Sequence, residues 1–125
     1  MGKPEIVYFT KNILGCGCDN NVFDSIDLKE NFVLNCSIKL RKKIVIGKKL
    51  LIYIADEDEV KPEELGKVIS EGIFERDSMG YNRLRLAIVF SNSKEISTEY
   101  LTVFGSLVDK DEKTHIHIVS NRDAV

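Results

Sequence analysis

The alternation of apolar and polar side chains predicts strands in both halves of the chain. In residues 32–40 every second side chain is apolar, which is the period of a strand with one buried face. Residues 50–55 are apolar throughout, which is typical of a strand covered on both faces. Shorter apolar runs predict further strands at 5–10, 44–46, 83–90 and 114–119. Residues 11–31 are assigned to a long loop that contains one helical turn from Val22 to Ile26. A turn is assigned to Arg41, Lys42 and Lys43.

Helical spacing is clearest after residue 61. Pro62 would occupy the first turn, where a missing N–H costs nothing, and the two glutamates after it would meet the positive end of the helix dipole. We expect the helix to end at Gly72 or near Gly80. Residues 94–108 carry a second apolar stripe, which favours a helix over a hairpin that turns at 109–112. The apolar face of the first helix consists of Leu65, Val68, Ile69 and Ile73.

The order of these elements predicts the fold class. From residue 50 onward the chain is expected to run strand, helix, strand, helix, strand, which is a βαβαβ unit if the strands are parallel. The earlier strands add an antiparallel portion. We therefore predict an α/β fold with a mixed sheet, and an α+β fold with an antiparallel sheet is the alternative. No linker divides the chain, so residues 1–125 are expected to form one domain.

The composition of the chain argues against some classes of partner and indicates a cellular compartment. The formal net charge is −2, so no overall positive field attracts nucleic acid. No apolar run approaches the ~20 residues of a membrane helix, and the first residues do not resemble a secretory signal. Three cysteines are an odd count that does not indicate a disulfide framework. These features predict a cytoplasmic protein without a membrane partner.

Polar side chains follow three of the predicted strands at the point where each strand ends. In an open parallel sheet, ligands bind in the crevice beyond the carboxyl ends of the strands. Carboxylates there suit Mg²⁺, and amide, hydroxyl and guanidinium groups suit a phosphate. The competing interpretation is that every strand leaves its sheet through polar loop residues. The candidate ligand-binding residues are Asp56, Asp58, Ser91, Asn92, Asn121 and Arg122.

A second candidate group surrounds the start of the strand at 83–90. Tyr81 and Arg83 lie beside a loop that follows Arg76. An aromatic ring and two guanidinium groups can stack on an anionic ligand or bind it through hydrogen bonds. Ordinary surface positions are the competing interpretation.

Two residue pairs raise the question of metal binding. His115 and His117 are two positions apart, so on a strand both project from one face and can chelate a metal if a third ligand approaches. Cys16 and Cys18 are separated by one glycine, a spacing less diagnostic of zinc or dithiol chemistry than C-x-x-C. The position of this cysteine pair, early in a long loop, instead favours a segment that covers a ligand. No cofactor or metal is assigned.

The sequence contains no recognisable catalytic constellation. We therefore expect a small non-enzymatic binding protein, inhibitor-like or phage-encoded, that recognises a protein partner or a small anionic ligand of the phosphate or nucleotide type. A homo-oligomer is expected. The alternative is a metal-dependent enzyme acting on phosphorylated or nucleotide substrates, with Asp56, Asp58, Asn92 and Asp123 at the strand ends.

Overall fold

One mixed five-stranded sheet forms the centre of the molecule, whose computed structural model describes residues 2–17, 20–90, 94–107 and 111–124. The strands lie side by side in chain order; the first three are antiparallel, and the third, fourth and fifth are parallel. This arrangement confirms the predicted α/β fold with an antiparallel N-terminal portion and a parallel C-terminal portion. The strands are β1 (Ile26–Val33), β2 (Lys39–Ile46), β3 (Leu50–Asp56), β4 (Arg83–Phe90) and β5 (Thr114–Ser120).

Helices α2 (Leu65–Met79) and α3 (Lys94–Ser106) connect the parallel strands. A 3₁₀ turn, Pro62–Glu64, precedes α2, and Gly80 ends it in the left-handed conformation at φ 75°, as expected of a glycine C-cap. Both predicted helices are thereby confirmed. Within the described ranges, no helix is both long enough and apolar enough to cross a membrane.

Each face of the sheet packs against its own layer. On the first face, α2 and α3 cover a cluster that includes Tyr53, Leu84 and Tyr100. On the second face, the N-terminal segment contributes Phe9 and Phe23 to a separate cluster. Residues 50–55 are all buried because β3 lies at the centre of the sheet between these two layers.

The prediction of a strand at 5–10 is wrong, because this stretch is helical. It forms α1 (Lys3–Tyr8), which continues into a π-helical turn, Phe9–Ile13. Glu5 caps the first turn by accepting a hydrogen bond of 2.9 Å from the Gly2 amide. Ile6 and Phe9 are buried while Tyr8 between them is exposed, which is a helical and not an alternating pattern. The expected long loop at 11–31 is likewise replaced in part by this π-helical turn and by the start of β1. The helical turn expected within that loop is present as a 3₁₀ helix, Asn20–Asp24.

The single strand predicted at 32–40 is two strands joined by a turn. Ser37 has a positive φ of 70°, and the Leu34 amide donates to the Ile38 carbonyl at 2.9 Å to close the turn. Glu71 on α2 accepts hydrogen bonds from the amides of Asn35 and Cys36. Cys36 is therefore a half-buried turn residue with a free thiol, and not part of a buried strand row.

The turn predicted at Arg41 to Lys43 is also wrong, since these residues lie in the middle of β2. The positive charges of Arg41 and Lys43 have partners on neighbouring elements. Arg41 forms an ion pair with Asp56, and Lys43 forms one with Glu75 while lying 4.4 Å from the centre of the Phe32 ring. A basic run can remain in a strand when acidic and aromatic groups offset its charges.

Candidate functional site

A cleft of about 640 Å³ lies at the carboxyl ends of the parallel strands and is called here the strand-end cleft. Asp56 ends β3, and Asn121 follows β5 directly. Arg41 reaches over from β2 and places Nη1 3.1 Å from Asp56 Oδ1 and 3.5 Å from Asn121 Oδ1. The described lining residues are Arg41, Asp56, Glu57, Asp58, Lys61, Pro62, Val89, Glu99, Tyr100 and Asn121.

The structure brings together only part of the residue group predicted at the strand ends. Asp56, Asp58 and Asn121 line the strand-end cleft, whereas Arg122 is exposed and does not line it. Ser91 and Asn92 lie outside the described residues. Asp123, which belongs to the alternative metal-enzyme hypothesis, is exposed in the turn after β5 and lies outside the cleft lining.

The charge of the strand-end cleft is mixed with an acidic excess. Four of its described lining residues are acidic and two are basic, and one of the basic residues, Arg41, is paired with Asp56. Such a surface attracts cations more than anions. The cleft therefore suits a cationic group better than a phosphate.

Arg76 and Arg83 from the second predicted group lie in different environments. Arg76 is 3% exposed and donates through Nη1 and Nη2 to the Asp111 carboxylate at 2.9 and 2.6 Å. Its Nη1 also donates to the Thr114 hydroxyl, and the carboxylate in turn has a pKa held well below its usual range by the guanidinium. Arg76 thus ties α2 to the start of β5. Arg83 is exposed and lines another cleft.

Tyr81 lies between these two arginines in the chain. Its amide donates to the Arg76 carbonyl at 2.8 Å, and burial raises the pKa of its hydroxyl. Tyr81 is outside the described lining of both clefts. The structure therefore does not bring Arg76, Tyr81 and Arg83 into one binding surface.

A second cleft, of about 610 Å³, lies at the amino ends of the parallel strands and is called here the basic cleft. Leu50 begins β3, Arg83 begins β4, and His115 is the second residue of β5. The N-terminal segment forms the opposite wall. The described lining residues are Cys16, Gly17, Val22, Ile46, Lys49, Leu50, Asn82, Arg83, Arg85 and His115.

Close backbone approaches hold the walls of the basic cleft together. Gly47, in the turn between β2 and β3, has a φ of 60°, and a Cβ there would lie 2.8 Å from the Val22 Cβ. Its amide donates to the Ser25 carbonyl at 2.7 Å. On the other side, the amides of Asn82 and Arg83 both donate to the Lys49 carbonyl, at 2.6 and 3.1 Å. Only a glycine lets the N-terminal wall approach the sheet this closely.

Arg85 carries a positive charge into the second face of the sheet. Its Nη1 donates to the Leu14 carbonyl at 2.8 Å and lies 2.9 Å from His117 Nε2. Its Nε is buried and has no hydrogen-bond partner in the part of the chain that the structure describes. Burial and the neighbouring Arg83 lower the pKa of Arg85, but a guanidinium stays charged at any ordinary pH.

The positive charge of Arg85 acts on both histidines. Burial, followed by the charge of Arg85, lowers the pKa of His117 to about 4, and burial with Arg85 and Arg83 lowers that of His115. Both imidazoles are therefore neutral near pH 7, and His117 Nε2 accepts the hydrogen bond from Arg85. Both side chains project from one face of β5, as the sequence predicted, because they are two residues apart on a strand.

The basic cleft is cationic along its described lining. Lys49, Arg83 and Arg85 contribute three positive charges, and no carboxylate is among the described residues that line it. Its apolar part consists of Val22, Ile46 and Leu50. An uncompensated positive surface with a small apolar wall can bind an anion that also has an apolar portion.

The cysteines and histidines form no metal centre among residues 2–17, 20–90, 94–107 and 111–124, where no group of three or more possible ligands comes together. Cys16 is disulfide-bonded, and Cys18 lies outside the described residues. The odd number of cysteines argues against a framework of several bridges, but it is compatible with the single bridge that Cys16 forms.

A comparison with protein-family models, curated proteins and solved structures finds no match for this chain. The case for a function therefore rests on the geometry of the two clefts. Sequence reasoning missed Lys49 and Arg85, which line the basic cleft. One signal was available for Arg85, since it faces the sheet's second face and the residues that follow it on that face of β4, Ala87 and Val89, are apolar.

Proposed function

We propose that this chain is a small non-enzymatic binding protein whose basic cleft takes a small anionic ligand of the phosphate or nucleotide type. The observation that carries the proposal is the charge balance of the described lining, with Lys49, Arg83 and Arg85 present and no carboxylate. Charge-assisted hydrogen bonds from guanidinium groups to phosphate are among the strongest in proteins. An anion in this cleft would offset positive charge that no carboxylate of the described lining balances.

Burial of part of Arg85 supports the same proposal. A charge removed from water without a counter-charge is costly, and such groups are ordinarily paired. Arg85 has a carbonyl and an imidazole as partners for Nη1, and its Nε has none among the described residues. A bound anion would supply the missing negative charge.

The size of the basic cleft is consistent with a small molecule. Its volume of about 610 Å³ falls within the roughly 300–1,000 Å³ of small-molecule sites. Cys16 and Gly17 form part of its wall, which agrees with the expectation that this glycine-flanked segment covers a ligand. The predicted cytoplasmic location, the protein partner and the homo-oligomer remain parts of the proposal.

The alternative, a metal-dependent enzyme, has one supporting observation. Asp56 and Asp58 both line the strand-end cleft, at the edge where an open parallel sheet ordinarily binds its ligands. Binding of Mg²⁺ or Mn²⁺ there would raise the melting temperature of the wild type and leave that of Asp56→Asn unchanged. A metal-induced rise that persists in Asp56→Asn would remove this cleft from consideration.

The anion proposal is tested by calorimetric titration of the purified protein with inorganic phosphate and with a nucleoside monophosphate. We expect saturable binding by the wild type, and a Kd roughly 10- to 100-fold higher in Arg83→Ala, since a hydrogen bond to a charged group contributes about 1.5–3 kcal/mol. Arg122→Ala is the matched control, because Arg122 is an exposed arginine outside the basic cleft. Wild-type protein that binds neither anion, or an equal loss in both variants, would contradict the proposal.

A further inference from the structure

The two edges of the sheet differ in how far they are protected against pairing with another strand. Natural edge strands commonly carry charges and local distortions that prevent such pairing. β1 has both, because Asp27, Lys29 and Glu30 are exposed and Asn31 has a positive φ of 51°. This edge is therefore unsuited to a further strand.

β5 at the opposite edge has neither protection. Residues 114–120 contain no acidic residue, lysine, arginine or proline, and none of them has a positive φ. The side chains of Ile116 and Ile118 pack against the cluster on the first face but remain half-buried. Ala124, in the described tail, packs against the cluster on the second face. An extended strand of this composition is suited to accept a neighbour.

The hydrogen-bond pattern shows which backbone groups of β5 face outward. The Leu84 amide donates to the Lys113 carbonyl and the Asn121 amide donates to the Phe90 carbonyl, both at 2.9 Å. Odd-numbered residues along β5 therefore bond to β4, and the backbone groups of Ile116 and Ile118 point away from it. In the described ranges, no backbone hydrogen bond from another element reaches these two residues.

We propose that β5 pairs antiparallel with β5 of a second copy of this chain about a two-fold axis, so that two five-stranded sheets become one. Full overlap of residues 114–120 places Ile116 opposite Ile118 of the partner subunit. In an antiparallel pair, such outward-facing residues exchange both of their backbone hydrogen bonds. The contact is self-complementary, as a two-fold interface requires.

A second copy fits this edge better than an unrelated strand. In the same overlap the outward backbone groups of Ile116 bond to those of Ile118 in the other copy. This pairing occurs at two places, one on each side of the axis. It also pairs isoleucine with isoleucine on one face, and cross-strand apolar pairs stabilise a sheet. No acidic side chain, lysine or arginine on either β5 meets a like charge.

Sedimentation velocity of the full chain over a wide concentration range tests the proposal. We expect the wild type to reach twice the 14.2 kDa of one chain. Ile118→Pro removes an outward-facing N–H without removing a bond to β4, so this variant is expected to stay monomeric. Ile118→Ala is the matched control, which also loses the isoleucine side chain but retains the N–H, and is expected to dimerise. A wild type that stays monomeric, or an Ile118→Pro dimer, would overturn the proposal.

Amide hydrogen exchange gives a test that needs no variant. The amides of Ile116 and Ile118 should exchange slowly at high protein concentration and rapidly after dilution. The His117 amide, which faces β4, is the internal control and should stay protected throughout. Rapid exchange at Ile116 and Ile118 in a sample that sedimentation shows to be dimeric would place the interface elsewhere and overturn the assignment to β5.

Discussion

A single arginine contacts both the N-terminal segment and a histidine on the second face of the sheet. Arg85 donates to the Leu14 carbonyl and to His117 Nε2, so it joins the N-terminal segment to β4 and β5. His117 accepts this bond only while it is neutral. Protonation of His117 would replace a hydrogen bond by repulsion between two cations.

This contact predicts a dependence of stability on pH. Burial and the charge of Arg85 lower the pKa of His117 to about 4 in the folded state, against about 6.5 in the unfolded chain. Between these pH values the unfolded state binds more protons than the folded state. The contribution of neutral His117 to the free energy of unfolding is therefore complete above pH 6.5 and is lost as pH falls toward 4.

The variant His117→Gln removes the titration and retains an acceptor for Arg85. We expect urea unfolding to show that the free energy of unfolding falls between pH 7 and pH 4.5 by about 2 kcal/mol more in the wild type than in the variant. His115 is present in both proteins, so its contribution cancels. Parallel losses in wild type and variant would show that His117 titrates normally in the folded protein.

At the level of the elements, strands and helices were predicted most accurately where the buried positions recur with one regular spacing. β3, β4 and β5 are continuous apolar or alternating runs, and α2 and α3 have apolar faces at helical spacing. These elements form the parallel half, where each strand is covered by helices that connect it to the next. Local pattern and tertiary environment therefore agree.

The failures lie in the N-terminal half, where tertiary contacts decide the structure. Residues 5–10 are apolar and aromatic enough for a strand, but burial of Ile6 and Phe9 against the second face favours the helix. Residues 34–38 keep an alternating pattern through a turn, because Glu71 on α2 binds the turn amides. A pattern read from neighbouring residues cannot detect a carboxylate that is 35 or 36 positions away.

Replacing the two glycines of helix α2 by alanine is expected to have opposite effects on stability, because the helix packs closely on the sheet at only one of them. A Cβ at Gly72 would lie 2.6 Å from Leu84 Cδ2, whereas a Cβ at Gly66 would meet nothing nearer than Leu107 Cδ2 at 3.6 Å. Gly72→Ala should lower the free energy of unfolding by about 1–3 kcal/mol through overpacking. Gly66→Ala should raise it by up to about 1 kcal/mol, because alanine favours a helix. Chemical denaturation measures both, and a stabilising Gly72→Ala would contradict the close packing.

At the scale of the whole molecule, two clefts of different charge lie at opposite ends of the parallel strands. Sequence reasoning identified part of the strand-end cleft, because polar residues after a buried strand can be recognised locally. In the basic cleft it identified Arg83 as a ligand-binding residue and singled out Cys16 and His115 for other reasons, but it missed Lys49 and Arg85. That cleft is assembled from four separate stretches of chain, and one wall exists only because the N-terminal segment folds over the second face.

Binding of a small anion in the basic cleft can be located residue by residue by mapping amide chemical shifts during titration with inorganic phosphate and with a nucleoside monophosphate. We expect saturable shifts at Lys49, Asn82, Arg83 and His115, all of which line the basic cleft. Saturable shifts at Asp56, Asp58 and Asn121 instead, or none at either cleft, would contradict binding in the basic cleft.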